Sequence, residues 1–82
     1  MYLIRYCGQW NYRPQAESLS ALINLTLPDT CEIEEGKIGQ FDVFLSGEYV
    51  ASKEELGRFV EFDDVLRDRE ERGLDEWKCR KA

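Results

Sequence analysis

The most reactive groups in this chain are three cysteine thiols, at Cys7, Cys31 and Cys79. Their number is odd and no two lie close together in the sequence, which is not the pattern of a disulfide scaffold. The sequence contains no His, so the usual zinc motifs and the commonest general base are both missing. We therefore expect no metal site, and the chemistry to consider is that of the thiols.

Cys7 lies where a predicted strand ends. It follows a short run of β-prone residues and precedes Gly8, where a chain can leave a strand and turn. Its thiolate could attack a disulfide, and Arg5 or Arg13 would favour that thiolate if either lies near it in space. The alternative is an inert Cys7, because free cysteines are commonly buried as small apolar residues.

The other two cysteines have weaker claims to a reactive role. Cys31 and Ile33 alternate with Glu32 and Glu34 in a strand-like pattern, which predicts a core position for Cys31. Cys79 lies in the basic stretch from Lys78 to Lys81, where positive neighbours favour a thiolate. It could resolve an intermediate at Cys7, form an intermolecular disulfide, or be an incidental tail residue. We expect the last of these.

Size, charge and hydropathy limit what the chain can be. With 82 residues it has room for one domain, and an apolar fraction of 43% predicts a folded one. Seventeen acidic residues against eleven basic ones give a net charge of −6, which would repel a nucleic acid. No apolar stretch approaches the roughly 20 residues that span a membrane, and the first residues lack a signal-peptide pattern. We expect a soluble, cytoplasmic protein.

Hydrophobic periodicity predicts elements in the order β-α-β-β-β-α. They are a strand from Tyr2 to Tyr6, a helix from Pro14 to Thr26, a strand from Cys31 to Glu35, a hairpin with strands from Phe41 to Leu45 and from Tyr49 to Ala51, and a helix from Glu61 to Arg72. This order predicts an α/β (α+β) fold with both helices packed on one sheet. We expect a domain at residues 1–73 and a charged tail at 74–82, which carries Trp77 and Cys79.

Two blocks of the sequence have the spacing of a known family. The first is Tyr6-Cys7-Gly8-Gln9-Trp10-Asn11-Tyr12-Arg13-Pro14, and the second is Gly39-Gln40-Phe41-Asp42-Val43 followed by Gly47, Val50 and Ser52-Lys53. They resemble the redox loop and the hairpin of the selenoprotein W (Rdx) family, whose loop is Tyr-Cys-Gly-x-(Cys or selenocysteine). Gly57-Arg58-Phe59 also matches, so the resemblance covers roughly residues 1–72.

The resemblance implies a shortened thioredoxin-like fold and a thiol-based redox role, with glutathione as a co-substrate and no bound cofactor. It places Cys7 at the first redox position and Trp10 at the second, where the family has Cys or selenocysteine. Gly8, Gln9 and Tyr12 lie on the same loop and are its candidate binding residues. An indole neither attacks sulfur nor leaves as a thiolate, so a Cys-x-x-Trp loop cannot complete an intramolecular dithiol cycle.

Trp10 has three explanations that the protein sequence does not separate. The selenocysteine codon UGA can be read through or engineered as tryptophan. A natural member of the family could instead have lost its second redox residue. In the third explanation, Trp10 and Tyr12 are simply loop aromatics folded over the edge of the core. The nucleotide sequence at codon 10 distinguishes the first two.

Two functions from different classes follow from these residues. The first is a redox-related protein whose single thiol, Cys7, forms mixed disulfides with glutathione or a partner protein. The second is a redox-silent interaction domain in which the loop from Cys7 to Tyr12 is an apolar contact surface. A thiol peroxidase that uses Cys79 to resolve Cys7 is a third hypothesis. Whether the chain is an enzyme stays open; if it is one, we expect thiol-disulfide oxidoreductase chemistry without the dithiol cycle.

Overall fold

The computed structural model describes residues 1–74, and the predictions for residues 75–82 of the tail, including Trp77 and Cys79, lie outside this range. The elements in chain order are β1 (Tyr2–Tyr6), α1 (Arg13–Thr26), β2 (Cys31–Glu35), β3 (Phe41–Leu45), β4 (Glu48–Ser52), α2 (Lys53–Leu56) and α3 (Phe62–Arg72). Every predicted strand and helix is present, with boundaries that differ by no more than one residue from those expected. Periodicity did not predict α2.

The four strands form one mixed sheet in the order β2-β1-β3-β4. β1 pairs in parallel with β2 and antiparallel with β3, and β3 pairs antiparallel with β4. A parallel pair requires a crossover connection, which α1 supplies between β1 and β2. β1 is therefore a central strand, and Cys7 follows directly at its carboxyl end.

Alternation along the central strands determines which face of the sheet carries the helices. The buried members of β1 and β3 are Tyr2, Ile4, Tyr6, Phe41, Val43 and Leu45. α1 packs on β1 and β2, α3 packs on β4, and the two helices contact each other. Both predicted helices thus lie on one face of the sheet, with the core between them and the strands.

α1 begins directly after the turn that follows Cys7. Pro14 lies in its first turn, where the N–H that proline lacks has no partner within the helix. The buried residues of its inner face are Ala16, Leu19 and Ile23. Near its other end, Asn24 pairs with the backbone of Cys31. The Cys31 N–H donates to Asn24 Oδ1 at 2.8 Å, and Asn24 Nδ2 donates to the Cys31 carbonyl at 3.1 Å. This pair fixes the start of β2 against α1.

α2 is a single helical turn that is defined by its two ends. The N–H of Glu55 donates to the Ser52 hydroxyl at 3.1 Å, which caps the start of the turn. Gly57 ends it. Four residues are too few for a helical period to show in the sequence. The turn carries Lys53 and directs the chain toward Phe59.

α3 begins with a capping box. The Glu61 N–H donates to Asp64 Oδ2 at 2.8 Å, and the Asp64 N–H donates to the Glu61 side chain. Arg58 donates two further hydrogen bonds to the same carboxylate, at 2.8 and 2.9 Å. The hydrogen bonds from Arg58 hold the pKa of Asp64 below its ordinary value. Together these contacts fix the segment that carries Phe59.

A buried arginine joins α3 to the amino end of β1. Arg69 is 1% exposed. Its guanidinium donates to the Tyr2 hydroxyl at 3.3 Å and to Asp29 at 2.8 Å. It also donates to the Leu74 carbonyl at 2.7 Å. Burial raises the pKa of the Tyr2 phenol. This clamp lies at the end of β1 opposite to Cys7.

Candidate functional site

The thiol of Cys7 is enclosed by the turn that follows it. Only 1% of the residue is exposed. Its Sγ accepts a hydrogen bond from the backbone N–H of Trp10 at 3.2 Å. The residue that the family resemblance placed at the second redox position therefore contacts the sulfur through its main chain. The sulfur faces a fixed backbone donor at the carboxyl end of the central strand.

Two backbone hydrogen bonds shape the loop from Cys7 to Tyr12. The Asn11 N–H donates to the Gly8 carbonyl at 3.2 Å, and the Tyr12 N–H donates to the Cys7 carbonyl at 3.1 Å. Asn11 has a φ of 58°, a left-handed conformation that asparagine tolerates better than most residues. The Tyr12 carbonyl then accepts from Ala16 at 3.1 Å, so the loop passes directly into α1.

The indole of Trp10 bridges two loops. It lies against Gly39 in the connection between β2 and β3, where an added Cβ would be 3.1 Å from the nearest ring carbon. It also meets the Tyr12 ring edge-on, with a centroid distance of 6.0 Å. Trp10 nevertheless remains 58% exposed. Trp10 thus contacts the Cys7 thiol through its backbone N–H and the β2–β3 connection through its ring.

Trp10 belongs to an aromatic cluster with Tyr12, Phe41 and Phe59. Tyr12 is half-buried, and its ring centroid is 4.8 Å from that of Phe59 and 6.5 Å from that of Phe41. Phe41 and Phe59 contact each other at 5.1 Å. Lys53 Nζ lies 5.6 Å from the Tyr12 centroid and 5.4 Å from that of Phe59, within range of a cation–π interaction. Tyr12 is therefore an aromatic at the edge of the core, as the third explanation of the loop supposed.

The two arginines considered as partners of Cys7 are engaged with carboxylates. Arg5 Nε is 2.8 Å from Glu34, and Arg13 Nε is 2.9 Å from Glu17. The hydrogen bond with Glu17 raises the pKa of Arg13. The donor that the structure places on the Cys7 sulfur is the Trp10 N–H.

Gly8 and Gln9, which were predicted as binding residues, are both exposed. A Cβ at Gly8 would overlap the carboxylate of Glu35, so this side chain lies directly over the start of the loop. A molecule that approaches Cys7 from this side would therefore meet the Gly8 backbone, the Gln9 side chain and a negative charge.

Cys31 is the second described thiol, and it belongs to the core, as predicted. It is 7% exposed and begins β2 opposite Tyr2, at the far end of β1 from Cys7. Burial raises the pKa of its thiol, which leaves less thiolate at neutral pH. Cys79 lies outside the described residues, so its roles stay predictions.

Two observations bear on what the region could hold. Residues 1–74 contain no group of three or more His, Cys, Asp or Glu side chains that could hold a metal ion. A groove of about 450 Å³ lies between α1 and the start of α3, with apolar walls that include Leu19, Leu22, Phe59 and Phe62. Phe59 also belongs to the aromatic cluster, so the groove adjoins the loop of Cys7.

Sequence reasoning identified the loop but not the residues that support it from other segments. Gly39, Lys53 and Phe59 lie in the matching blocks of the sequence, yet their spacing did not indicate contact with Trp10 or Tyr12. Only the strand order, which places the β2–β3 connection and α2 beside the end of β1, brings them together. No period in the sequence encodes that proximity.

The fold and the position of Cys7 define the class of the protein. A mixed four-stranded sheet, a crossover helix after its central strand and a thiol at that strand's carboxyl end form a thioredoxin-like domain. A model of the Rdx family matches residues 3–68, which is most of the chain. The chain belongs to the Rdx family. No helix in the described part of the chain is long and apolar enough to cross a bilayer.

Two solved structures are similar to this chain. A selenoprotein W-related protein from Vibrio cholerae aligns with a TM-score of 0.72 and 20% identity, over 85% of this chain and 91% of that one. A protein from Bordetella parapertussis aligns with a TM-score of 0.61 and 20% identity, over 87% of this chain and 94% of that one. At this identity the likeness concerns the fold. A search of curated proteins found no match.

Proposed function

We propose that this Rdx-family protein acts through a single thiol, Cys7, which forms mixed disulfides with glutathione or with a cysteine of a partner protein. The observation that carries the proposal is the backbone N–H of Trp10, which donates to Cys7 Sγ at 3.2 Å. This hydrogen bond holds the sulfur at the carboxyl end of the central strand, directly beneath the exposed loop. A thiol held at this point can exchange with a disulfide when the loop opens.

The proposed step is a thiol–disulfide exchange. The Cys7 thiolate attacks one sulfur of glutathione disulfide, so that a bond forms between Cys7 and one glutathione while the original S–S bond breaks. The second glutathione leaves as a thiolate and takes up the proton that Cys7 gave to solvent. Cys7 is oxidised and the leaving glutathione is reduced. A free glutathione or a partner thiolate reverses the step by attack on the mixed disulfide.

The second sulfur of the exchange comes from another molecule in this proposal. Trp10 occupies the position of an internal resolving group and has no sulfur. Cys31, the other described thiol, lies at the opposite end of β1 from Cys7. Glutathione or a partner cysteine supplies the resolving thiol instead.

The burial of Cys7 requires the loop to open before the exchange. The residue is 1% exposed, and an in-line attack needs the incoming disulfide in contact with Sγ. Short exposed loops open locally at much lower free energy than the core. The loop from Cys7 to Tyr12 has exposed residues at Gly8, Gln9, Trp10 and Asn11, so this local opening is the expected route.

The test is uptake of glutathione by the full chain and by three single variants, Cys7→Ser, Cys31→Ser and Cys79→Ser. Each is incubated with glutathione disulfide at neutral pH and then analysed by peptide mass spectrometry. We expect one glutathionyl group on Cys7 in the wild type, in Cys31→Ser and in Cys79→Ser. After the same incubation we expect none on the remaining thiols of Cys7→Ser. Modification confined to Cys79, with Cys7 unmodified, would overturn the proposal.

A second candidate function is a redox-silent interaction domain, and one observation favours it. Trp10 and Ile38 are 58% and 64% exposed, and Ile38 is adjacent in sequence to Gly39, on which the indole rests. Exposed aromatic and aliphatic side chains beside each other are typical of contact surfaces. For a partner recovered with the full chain, this function requires that Trp10→Ala abolishes binding while Cys7→Ser preserves it. The single-thiol function requires that Cys7→Ser abolishes the covalent complex.

A further inference from the structure

We infer that Gly39 is a positioning residue for Cys7, because it seats the indole of Trp10 and thereby keeps the loop closed over the thiol. The inference rests on the proposed single-thiol function and adds a residue from a different segment to it. Gly39 touches neither the sulfur nor a substrate, so its effect passes through Trp10.

The contact between Trp10 and Gly39 is close enough to depend on the missing side chain. A Cβ at Gly39 would be 3.1 Å and 3.4 Å from the two nearest ring carbons of Trp10. Real Cβ atoms are rarely this close to a neighbour, so a methyl group at Gly39 requires the ring to shift by a few tenths of an ångström. Gly39 also has a φ of 78°, in the left-handed region that favours glycine.

The loop that carries Gly39 is itself held in place. The Gly36 N–H donates to the carbonyl of Tyr6, the residue before Cys7, at 2.7 Å, and the Gln40 N–H donates to the Lys37 carbonyl at 3.1 Å. The Gln40 side chain accepts from the Lys37 N–H at 2.7 Å. The indole therefore rests on a loop that is tied to the end of β1.

The ring and the donor on the thiol belong to one residue. The backbone N–H of Trp10 donates to Cys7 Sγ, and the indole is attached to the Cα of the same residue through a single carbon, Cβ. A ring that is displaced from Gly39 moves the backbone of Trp10 or loses its contact with the β2–β3 loop. In either case the closed loop loses a contact and opens more often, which exposes Cys7.

The experiment compares two glycines of equal backbone strain. Gly47 has a φ of 86°, close to that of Gly39, but a Cβ there would have no neighbour within 4 Å. Gly39→Ala and Gly47→Ala thus both place alanine at a similar positive φ, and only Gly39→Ala brings a Cβ against Trp10. Trp10→Ala, which removes the ring, and Trp10→Phe, which keeps a smaller one, complete the set. All four are made in the full chain.

The measurement is the rate of alkylation by iodoacetamide at each cysteine, read by peptide mass spectrometry. Cys31 is the internal reference, because global destabilisation exposes both Cys7 and Cys31, whereas loop opening exposes Cys7 alone. In Gly39→Ala and Trp10→Ala we expect the Cys7 rate to rise roughly tenfold relative to Cys31, which corresponds to about 1.4 kcal/mol in the opening equilibrium. The ratio of the Cys7 rate to the Cys31 rate in Trp10→Phe should lie between that of these variants and that of the wild type. In Gly47→Ala this ratio should equal that of the wild type.

Equal Cys7-to-Cys31 ratios in Gly39→Ala and Gly47→Ala would overturn the inference. So would a rise in both cysteines together, because that is the behaviour of a purely structural glycine. Glutathione uptake by the same variants separates this inference from the proposed function. If alkylation follows the expected order while no variant takes up glutathione on Cys7, the positioning role stands and the proposed function fails. If Cys7 takes up glutathione at one rate in every variant, the proposed function stands and the inference fails.

Discussion

At the scale of single residues, the main chain of Trp10 matters as much as its side chain. The N–H that bonds to Cys7 Sγ exists for every residue type except proline, so the donor is kept when the second redox group is absent. A loop with Trp at this position can therefore still present a hydrogen-bonded sulfur. What it lacks is an internal resolving sulfur, and this is why the proposed exchange is monothiol.

A cysteine placed at position 10 should allow an internal disulfide with Cys7 to form. The Trp10 backbone nitrogen is 3.2 Å from Cys7 Sγ, so a short side chain at this position has the thiol within reach. We expect Trp10→Cys to form an intramolecular disulfide with Cys7 under mild oxidation, seen as two thiols lost to alkylation without dimer formation. Gln9→Cys is the matched control. Disulfide formation that is equally fast in both variants would contradict the geometry of the loop.

Asp64 is a single carboxylate whose contribution to stability depends on pH. Its pKa is lowered chiefly by the hydrogen bonds from Arg58, so its contribution is complete above the unfolded-state pKa and is lost as pH falls through the folded-state pKa. We expect Asp64→Asn to lower the free energy of unfolding at pH 7 by roughly 1 to 3 kcal/mol. The difference from the wild type should shrink as pH falls below about 4. Urea denaturation at several pH values measures it, with the exposed neighbour Asp63→Asn as control. A difference that stays constant down to pH 3 would contradict this account.

At the scale of elements, the parts of the fold that periodicity can encode were predicted and the parts set by tertiary contact were not. The central strand Tyr2–Tyr6 and the helix Arg13–Thr26 are long enough to show their period. The turn Lys53–Leu56 is not, and only its cap at Ser52 and its stop at Gly57 mark it. The loop from Cys7 to Tyr12 lies where the sequence predicts it, because the end of a β-prone run, Gly8 and Pro14 are local signals.

The burial of Cys7 and the contact between Trp10 and Gly39 could not be predicted in this way. Both depend on which strand lies next to β1 and on where the β2–β3 connection passes. The sequence predicts a core position for Cys31 because Cys31 and Ile33 alternate with acidic residues. Cys7 follows the end of β1 and is part of no such alternation. The resemblance to a family located the thiol in the sequence, and the structure located the residues around it.

The side chain of Asn24 acts as a link between two elements. It accepts from the Cys31 N–H at 2.8 Å and donates to the Cys31 carbonyl at 3.1 Å, as a neighbouring strand would. Asn24→Ala leaves both groups without this partner, and we expect a loss of roughly 1 to 3 kcal/mol in the free energy of unfolding. Thr26→Ala, at an exposed position of the same helix, is the control and should change stability by less. Equal effects of the two variants in urea denaturation would show that the Asn24 pair contributes nothing specific.

At the scale of the whole molecule, the two ends of β1 have different surroundings. The amino end carries the buried clamp of Arg69 with Tyr2 and Asp29, which joins the last helix to the sheet. The carboxyl end carries Cys7 under a short, largely exposed loop. Because the two ends are separate, we expect the loop to open locally while the clamp and the core stay closed.

Loss of the clamp should therefore affect both cysteines. Arg69→Ala removes the partner of the Asp29 carboxylate, which is 36% exposed. It also removes the hydrogen bonds to Tyr2 and Leu74, and we expect a loss of roughly 1 to 3 kcal/mol in the free energy of unfolding. We expect faster alkylation of Cys7 and Cys31 together, in contrast to Gly39→Ala. Tyr2→Phe removes one hydrogen bond only and should cost about 1 kcal/mol, which keeps the comparison usable if Arg69→Ala does not fold. A rise at Cys7 alone in either variant would contradict the separation of the two ends.

The most direct test of the single-thiol account is the occupancy of Cys7 by glutathione across a series of glutathione redox buffers. The full chain is equilibrated at increasing ratios of glutathione disulfide to glutathione and quenched, and each cysteine is quantified by peptide mass spectrometry. The account predicts that Cys7 becomes glutathionylated at ratios where Cys31 is still a free thiol, because Cys7 lies under an exposed loop that can open and Cys31 lies in the strand β2. Cys31 occupied before Cys7, or Cys7 unmodified at every ratio, would contradict it.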